Sequence, residues 1–533
     1  MIKTINRKKY RVYAFDFETH NDKESIALNT SGVWLGVLLD EKSQVKDESC
    51  YFYSISEFID RLNEMTSLKR HSSKDEKPCN SLMLYDYNLS FEWSFILPEL
   101  LRRGYEWEGD GACSYSTIST HSCSSVWQIK LILENGQEVV MRDLAKIYGG
   151  GLGNVAKSMG LKTQKGEIDY TKNRLHNYVV PFFEKEYCFK DAFIIVEILK
   201  KQQDDWFFWS SISISSYATK KMIDFGYSRY KRKMLQFRKE YPKPEADEYS
   251  FLLKTKAGGI TYAPKKYQFA IVNNVKHIDA HQMHPYQAYS RMFPYGEGTY
   301  GKGEPNPRDL VTHIYACHVL VSYTDVKLHS VIKLIGTDAI ENAELWVWSF
   351  EIPTMKKCYV DLKIEYIDYY EYETKLLPWR KFYLNNFNDR LKAKSKGDNY
   401  NVMRFKKLNN ASYGKLLEKA HAIDFENIIG VDGIITSVSH ENGKDEMLGA
   451  KYTCLQVGSC IPAYSRVYLI ETALKFGWQN IVYFDTDSIF YVDNEQTRNA
   501  CSKLNHNYEM GAWELRTILK HFKSPLRKDI KCY

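Results

Sequence analysis

Asp485 and Asp487 stand two residues apart in Tyr483-Phe484-Asp485-Thr486-Asp487-Ser488, between the apolar stretches Asn480-Ile481-Val482 and Ile489-Phe490-Tyr491-Val492. This arrangement predicts a hairpin. In an extended chain residues i and i+2 point the same way, so the two carboxylates can face one pocket and share divalent ions. Asp-Thr-Asp-Ser is also an ordinary polar turn, and the rest of the chain favours the chemical reading. His277-Ile278-Asp279-Ala280-His281-Gln282-Met283-His284-Pro285-Tyr286 reads as a strand ending in a Pro-terminated turn, with Asp279 at the strand's exit. Asp279 could complete a two-ion site with Asp487, because two cations about 3.5 to 4 Å apart stabilise the attacking and leaving oxygens of an in-line phosphoryl displacement. Mg²⁺ suits such a site, since it takes one or two protein carboxylates plus substrate phosphates. Between these stretches, Arg404 to Lys415 has helical character, and Lys406, Asn410 and Tyr413 fall on one face. That face offers a cation for a triphosphate, an amide, and a ring against which a base pair can pack. In isolation the better reading is a basic solvated helix with Tyr413 in the core; joined to the acid pair, the functional reading wins.

The order Asp279…Pro285, Lys406…Asn410-x-x-Tyr413-Gly414, Tyr483…Asp485-Thr486-Asp487-Ser488 resembles the three polymerase motifs of family B DNA polymerases, specifically the protein-primed branch of small tailed phages. The resemblance implies that Asp279, Asp487 and the Ala280 carbonyl hold two Mg²⁺ ions, Mn²⁺ being a substitute, with Asp485 nearby. It assigns Lys394 and Lys406 to the triphosphate, and Asn410, Tyr413 and His284 to the pocket of the nascent pair. Gly258, Gly259, Gly414 and Thr486 fall to DNA contact.

The resemblance extends to the N-terminal third. Asp16 and Glu18, in Ala14-Phe15-Asp16-Phe17-Glu18-Thr19, share one face of a strand; Glu92 closes Tyr87-Asn88-Leu89-Ser90-Phe91-Glu92; Tyr187 and Asp191 are one helical turn apart. As a set these look like a proofreading 3′-5′ exonuclease site. Asp16, Glu18, Glu92 and Asp191 would hold two metals, Tyr187 would orient water, and Lys165 would steady phosphate charge. Thr19, Asn88, Phe91 and Phe95 match positions that grip a frayed single strand.

Four departures from the family pattern stand out. Glu92 occupies a position that normally carries the shorter Asp. Gln282-Met283-His284-Pro285 replaces Ser-Leu-Tyr-Pro, so His284 stands where a tyrosine usually excludes a 2′-hydroxyl. Lys256-Ala257-Gly258-Gly259 replaces Tyr-x-Gly-Gly. Lys531-Cys532-Tyr533 matches the Lys-x-Tyr motif whose lysine and tyrosine hold the primer end, and family members continue past it into a thumb, so the thumb is expected to be missing or truncated here.

The elements that must position these residues follow from pattern and resemblance together. Residues 1–211 predict an α/β ribonuclease H-like exonuclease domain, and residues 212–533 an α+β polymerase domain of palm and fingers. The palm is expected at 212–290 and 456–533, with fingers at about 383–419. The resemblance places a first insertion at about 291–382, which binds the priming protein in relatives, and a second at about 420–455, which encircles template. Leu345 to Trp348 and Lys356 to Val360 predict strands, and Glu373 to Leu377 a short helix. Gly149-Gly150-Gly151-Leu152-Gly153-Asn154-Val155-Ala156 mimics a dinucleotide fingerprint, but no good strand precedes it, so it reads as a loop capping a helix.

Composition agrees without deciding. The chain has 533 residues, 44% of them hydrophobic, and a formal charge of +7 that permits a polyanionic partner. Its 40 tyrosines and 11 tryptophans supply both core and stacking surfaces. The 11 cysteines include no Cys-x-x-Cys pair, so zinc is not expected and reduced thiols are. No apolar run reaches the ~18 residues needed to cross a bilayer, and no signal-peptide core follows Met1. The expectation is a cytoplasmic monomer, in host cytoplasm if phage-encoded, working on template-primer DNA and deoxynucleoside triphosphates. A terminal protein primer and a single-stranded DNA-binding protein would be its partners. The rival readings are a polymerase-derived exonuclease that no longer synthesises, and a non-catalytic nucleic-acid-binding protein.

Overall fold

The computed structural model describes residues 1–5, 7–20, 32–67, 79–119, 125–169, 171–172, 174, 178–306, 312–330, 339–418, 423–430, 435–441 and 451–523. The chain forms two compact units. One comprises Met1–Tyr217, Gly397–Arg404 and His421–Lys444, the other Ala218–Lys396, Phe405–Ala420 and Asp445–Tyr533.

The first unit is built on a nine-stranded mixed sheet. Its strand Lys8–Thr19 pairs antiparallel with Val33–Leu39 and parallel with Leu82–Asp86, which in turn runs parallel to Glu138–Asp143. Alternation sorts its side chains: Phe15 and Phe17 enter an apolar core with Phe58, Trp93 and Met141, leaving Asp16 and Glu18 for the opposite face. The helix Phe182–Lys201 packs across Lys8–Thr19 and Val33–Leu39. A second helix, Leu89–Arg102, starts three residues after the strand Leu82–Asp86 ends. The tight entry is made by Asn88 at φ +95°, whose N–H donates to Asp143 Oδ1 at 3.0 Å; asparagine tolerates this left-handed conformation better than most residues. The glycine-rich decoy is a loop, with Gly151 capping the helix Leu152–Ser158. A hairpin, Ile423–Ile429 with Ile435–Glu441, belongs to this unit: Trp93 Nε1 donates to Asn427 Oδ1 at 2.9 Å.

The second unit carries an antiparallel five-stranded sheet in the order Thr261–Tyr262, Ile481–Asp485, Ser488–Val492, Ile271–Ala280, Trp513–Lys523. Ile278, Ala280, Phe484, Ile489 and Tyr491 bury one of its faces against Leu469 and Ile470 of the long helix Leu455–Lys475 and against Phe476, which caps it. A separate four-stranded sheet is formed by Met292–Lys302, Lys363–Leu376, His313–Tyr323 and Ile340–Trp348.

Three local expectations are corrected. Glu373 to Leu376 continues the strand Lys363–Leu376 instead of forming a helix, because the aromatic, period-2 run Tyr366 to Tyr372 is hydrogen-bonded to strands on both sides. Lys356 to Cys358 closes the helix Ile352–Cys358, where Pro353 is tolerated in the first turn. Pro285 likewise lies in the first turn of the helix Met283–Ser290 rather than in a turn that ends a strand. Leu345 to Trp348 is strand, as the sequence predicts.

The buried pair Arg466–Glu351, at 2.6 Å with side chains 4% and 1% exposed, ties the long helix to the short helical turn Ser349–Glu351. Removing one charge strands the other, so Glu351→Gln is expected to cost about 3 to 5 kcal/mol, read as a lower denaturation midpoint.

Candidate active sites

In the second unit, Asp279 is the last residue but one of its strand and lies on the face opposite Ile278 and Ala280. Ladder pairing sets Asp279 across from Ser488, and the Ala280 N–H donates to the Asp487 carbonyl at 2.9 Å, so the two aspartates become neighbours. Both line a cleft with the Ala280 backbone, His284, Lys406, Asn410, Arg390 and Arg516. Burial and the adjacent Asp279 push Asp487 up to about 6, with Lys406 opposing. Such a mutually repelling, oxygen-rich pair suits a hard divalent cation. Arg516 meanwhile lies 3.4 Å from Asp279 and 2.9 Å from Glu514.

Asp485 does not line this cleft, although its charge adds to the repulsion at Asp487. It is exposed, and its Oδ1 accepts from the hydroxyls of Thr261 (3.1 Å) and Thr486 (3.0 Å). The i, i+2 rule holds only along extended chain, whereas these aspartates straddle a turn with Thr486 at φ +52°. The turn is held from outside: Thr486 N–H donates to the Ile260 carbonyl at 2.9 Å. Gly259 is required there, because a Cβ would come within 2.7 Å of Thr486 Cγ2. Gly258 and Ala257 are anchored by their carbonyls, which accept from Arg466 Nη1 at 2.9 and 3.0 Å.

His284 stacks on Tyr413 with ring centroids 5.2 Å apart and planes 2° from parallel. Burial and Arg466 lower the imidazole to about 4, so the ring is neutral near pH 7. Burial and Asp487 push the Tyr413 hydroxyl up to about 12. Lys394 packs over the Tyr508 ring at 5.4 Å, while Arg390, one helical turn earlier, faces the cleft. Arg390 was legible only as a same-face neighbour of Lys394; Arg516 carried no local signal at all. Gly414 has open space where a Cβ would lie. Lys531 and Tyr533 lie outside the described residues.

In the first unit, Asp16, Glu18 and Cys188 bring ligand atoms within 4.8 Å of one another, as do Asp16, Asp86 and Glu92. Asp191 completes the surroundings from the helix Phe182–Lys201 and is paired with Lys165 at 2.9 Å. Tyr187, one turn before it, is buried, and Gly166 lets the Lys165 segment approach its ring; a Cβ there would sit 3.1 Å from Cδ2. Burial drives these acids towards protonation. Glu18 rises to about 8, with Asp191 adding repulsion, and Asp86 to about 7, with Asp143 doing the same. Asp16, Glu92 and Asp191 are also raised, burial being the first cause in each. Asp86 is the member that sequence reasoning missed: a lone aspartate at the end of an apolar strand gives no spacing signal. Thr19 is buried, and Phe91 is exposed and packs edge-on to Phe95 at 5.3 Å beside Glu92, an aromatic surface open to solvent.

These shifts make metal-free stability pH-dependent. An acid whose folded pKa lies above its unfolded value holds its proton in the native state after the unfolded chain has lost it, so stability falls as pH rises through that interval. Glu18 and Asp86 place the interval between about pH 4 and pH 8. In EDTA the melting temperature is therefore expected to fall across this range, and Mg²⁺ to restore it at the upper end.

An antiparallel sheet that presents Asp279 and Asp487, and a mixed-sheet unit that gathers Asp16, Glu18, Glu92 and Asp191, agree with the motif resemblance to protein-primed family B DNA polymerases, and known DNA polymerases are similar to the chain. The chain is 25% identical over 463 residues to the DNA polymerase of Bacillus phage Nf, covering 83% of this chain and 76% of that one. It is 24% identical over 465 residues to the DNA polymerase of Bacillus phage phi29, with the same shares covered. The solved structure of phi29 DNA polymerase with primer-template DNA and incoming nucleotide substrates matches it with a TM-score of 0.78 at 21% identity, over 96% of this chain and 86% of that one. No family model matches the chain.

Proposed function

We propose that this chain is a DNA-dependent DNA polymerase with a 3′-5′ proofreading exonuclease, replicating a linear phage-type genome from a protein primer with strand displacement. The observation that carries the synthetic reading is the hydrogen-bonded pairing that brings Asp279 and Asp487 into one cleft with Lys406 and Asn410. A primer 3′-oxygen attacks the α-phosphorus of a nucleotide, the bond to the β-phosphate oxygen breaks, and pyrophosphate leaves while the hydroxyl proton passes to solvent. Bound Mg²⁺ supplies Lewis-acid stabilisation of the attacking and leaving oxygens. Asp279 and Asp487 would hold it, Lys406 and Arg390 offset triphosphate charge, and the His284–Tyr413 stack forms a floor for the nascent pair. In the first unit, water attacks the terminal phosphodiester, the bond to the departing 3′-oxygen breaks, and that oxygen takes a proton. Lys165 is placed to offset phosphate charge and Tyr187 to orient the water.

The curated relatives are named DNA polymerases, and the phi29 enzyme was solved with primer-template DNA and nucleotides, which supports the same ligands here. The cytoplasm of a phage host is the corresponding location; among the described residues no helix is long and apolar enough to cross a membrane. Primer extension on a primed template tests the reading. No extension alongside intact single-strand degradation would favour the exonuclease-only alternative. Aromatic pairs contribute about 0.5 to 1.5 kcal/mol beyond area burial, so His284→Ala is expected to raise the KM for nucleotides roughly 2- to 10-fold in steady-state extension with little change in kcat.

A further inference from the structure

Asp86 is 0% exposed and Glu92 4%, yet neither Asp86 oxygen and not Glu92 Oε2 makes a well-formed hydrogen bond. Its neighbour Asp143 shows what a structural carboxylate looks like in the same place. Asp143 Oδ1 accepts from the amides of Asn88 (3.0 Å) and Ala145 (2.7 Å), and Oδ2 lies 3.4 Å from Lys146 Nζ. Asp86 has no cation beside it: its nearest support is the Tyr87 backbone and the carboxyl of Glu92, itself an acid. One Asp86 oxygen lies within 4.8 Å of a ligand atom on each of Asp16 and Glu92, a separation that oxygen ligands of one divalent cation can span at about 2.0 to 2.6 Å each. A buried carboxylate without partners costs several kcal/mol unless a proton or a cation neutralises it.

We propose that Asp86 is a ligand of the divalent cation at the carboxylate cluster of the first unit, acting with Asp16 and Glu92, and is therefore a further catalytic residue of the nuclease. The role rests on the exonuclease reading of that cluster; the ligation does not. The strand Leu82–Asp86 ends in parallel register beside the strand that carries Asp16, so its last side chain is fixed by backbone pairing. Glu92 reaches the same point from the first turn of a helix.

The test uses the full chain carrying Asp279→Asn and Asp487→Asn, which removes the other acidic pair, with Mn²⁺ as probe. Mn²⁺ binding is followed by electron paramagnetic resonance, melting temperature is recorded with and without Mn²⁺, and single-stranded DNA degradation is measured in parallel. Adding Asp86→Asn is expected to raise the metal-free melting temperature, to weaken Mn²⁺ binding by at least ~10-fold, and to slow degradation by a similar factor. Asp86→Ser, which is smaller, is the second variant if the amide disturbs packing. Unchanged Mn²⁺ affinity and unchanged Mn²⁺-induced stabilisation in both variants, with both lost in Asp16→Asn, overturns the proposal and makes Asp86 a protonated structural group. Absence of any Mn²⁺ binding that Asp16→Asn removes overturns it as well. If Mn²⁺ binds and Asp86→Asn weakens it but no DNA is degraded, the ligation stands and the exonuclease reading fails.

Discussion

Asp487→Asn is expected to lower primer extension about a thousandfold while single-strand degradation stays within twofold of the parent. The magnitude follows from its position. Asp487 shares the cleft with Asp279 and is held there by backbone pairing, so the amide keeps the fold and removes one of two charges facing the reacting phosphate. Losing a cation's stabilisation of the attacking and leaving oxygens costs several kcal/mol, and each 1.36 kcal/mol is about tenfold in rate. The raised pKa of Asp487 sharpens the point: burial and Asp279 already work against its charge, so the site favours a cation over an empty, doubly ionised pair. Rate measurement at saturating nucleotide separates this from weakened binding. A loss below tenfold would remove Asp487 from the chemistry.

Asp16→Asn should give the mirror image, degradation of single-stranded DNA falling about a thousandfold with extension retained. Asp16 is common to both groups of ligand atoms, the one with Glu18 and Cys188 and the one with Asp86 and Glu92. Its removal therefore disturbs every cation position the cluster offers. Lys165→Ala is a milder case: the ammonium lies 2.9 Å from Asp191 and is 44% exposed, so its contribution is screened by solvent. A variant of Asp16 that still degrades DNA at the parental rate would show that the activity resides elsewhere or is absent from this cluster.

The amino-acid order by itself determined the local geometry. Alternation along Ala14 to Thr19 put Asp16 and Glu18 on one strand face, because the period of an extended chain is two whatever surrounds it. The spacing of Lys406, Asn410 and Tyr413 put them on one helical face for the equivalent reason, and the motif order carried the family resemblance. What the spacing rule could not deliver was orientation across a turn. Asp487 lines the cleft and Asp485 does not, the two being separated by Thr486 in a left-handed conformation that Ile260 and Gly259 accommodate from another part of the chain. Register decided that Asp279 meets Asp487, and parallel strand pairing decided that Asp86 ends beside Asp16. These are contacts between residues many tens of positions apart. No local propensity encodes them, since they arise only when burying apolar faces such as Ile278 and Ala280, or Phe15 and Phe17, fixes which strand lies against which.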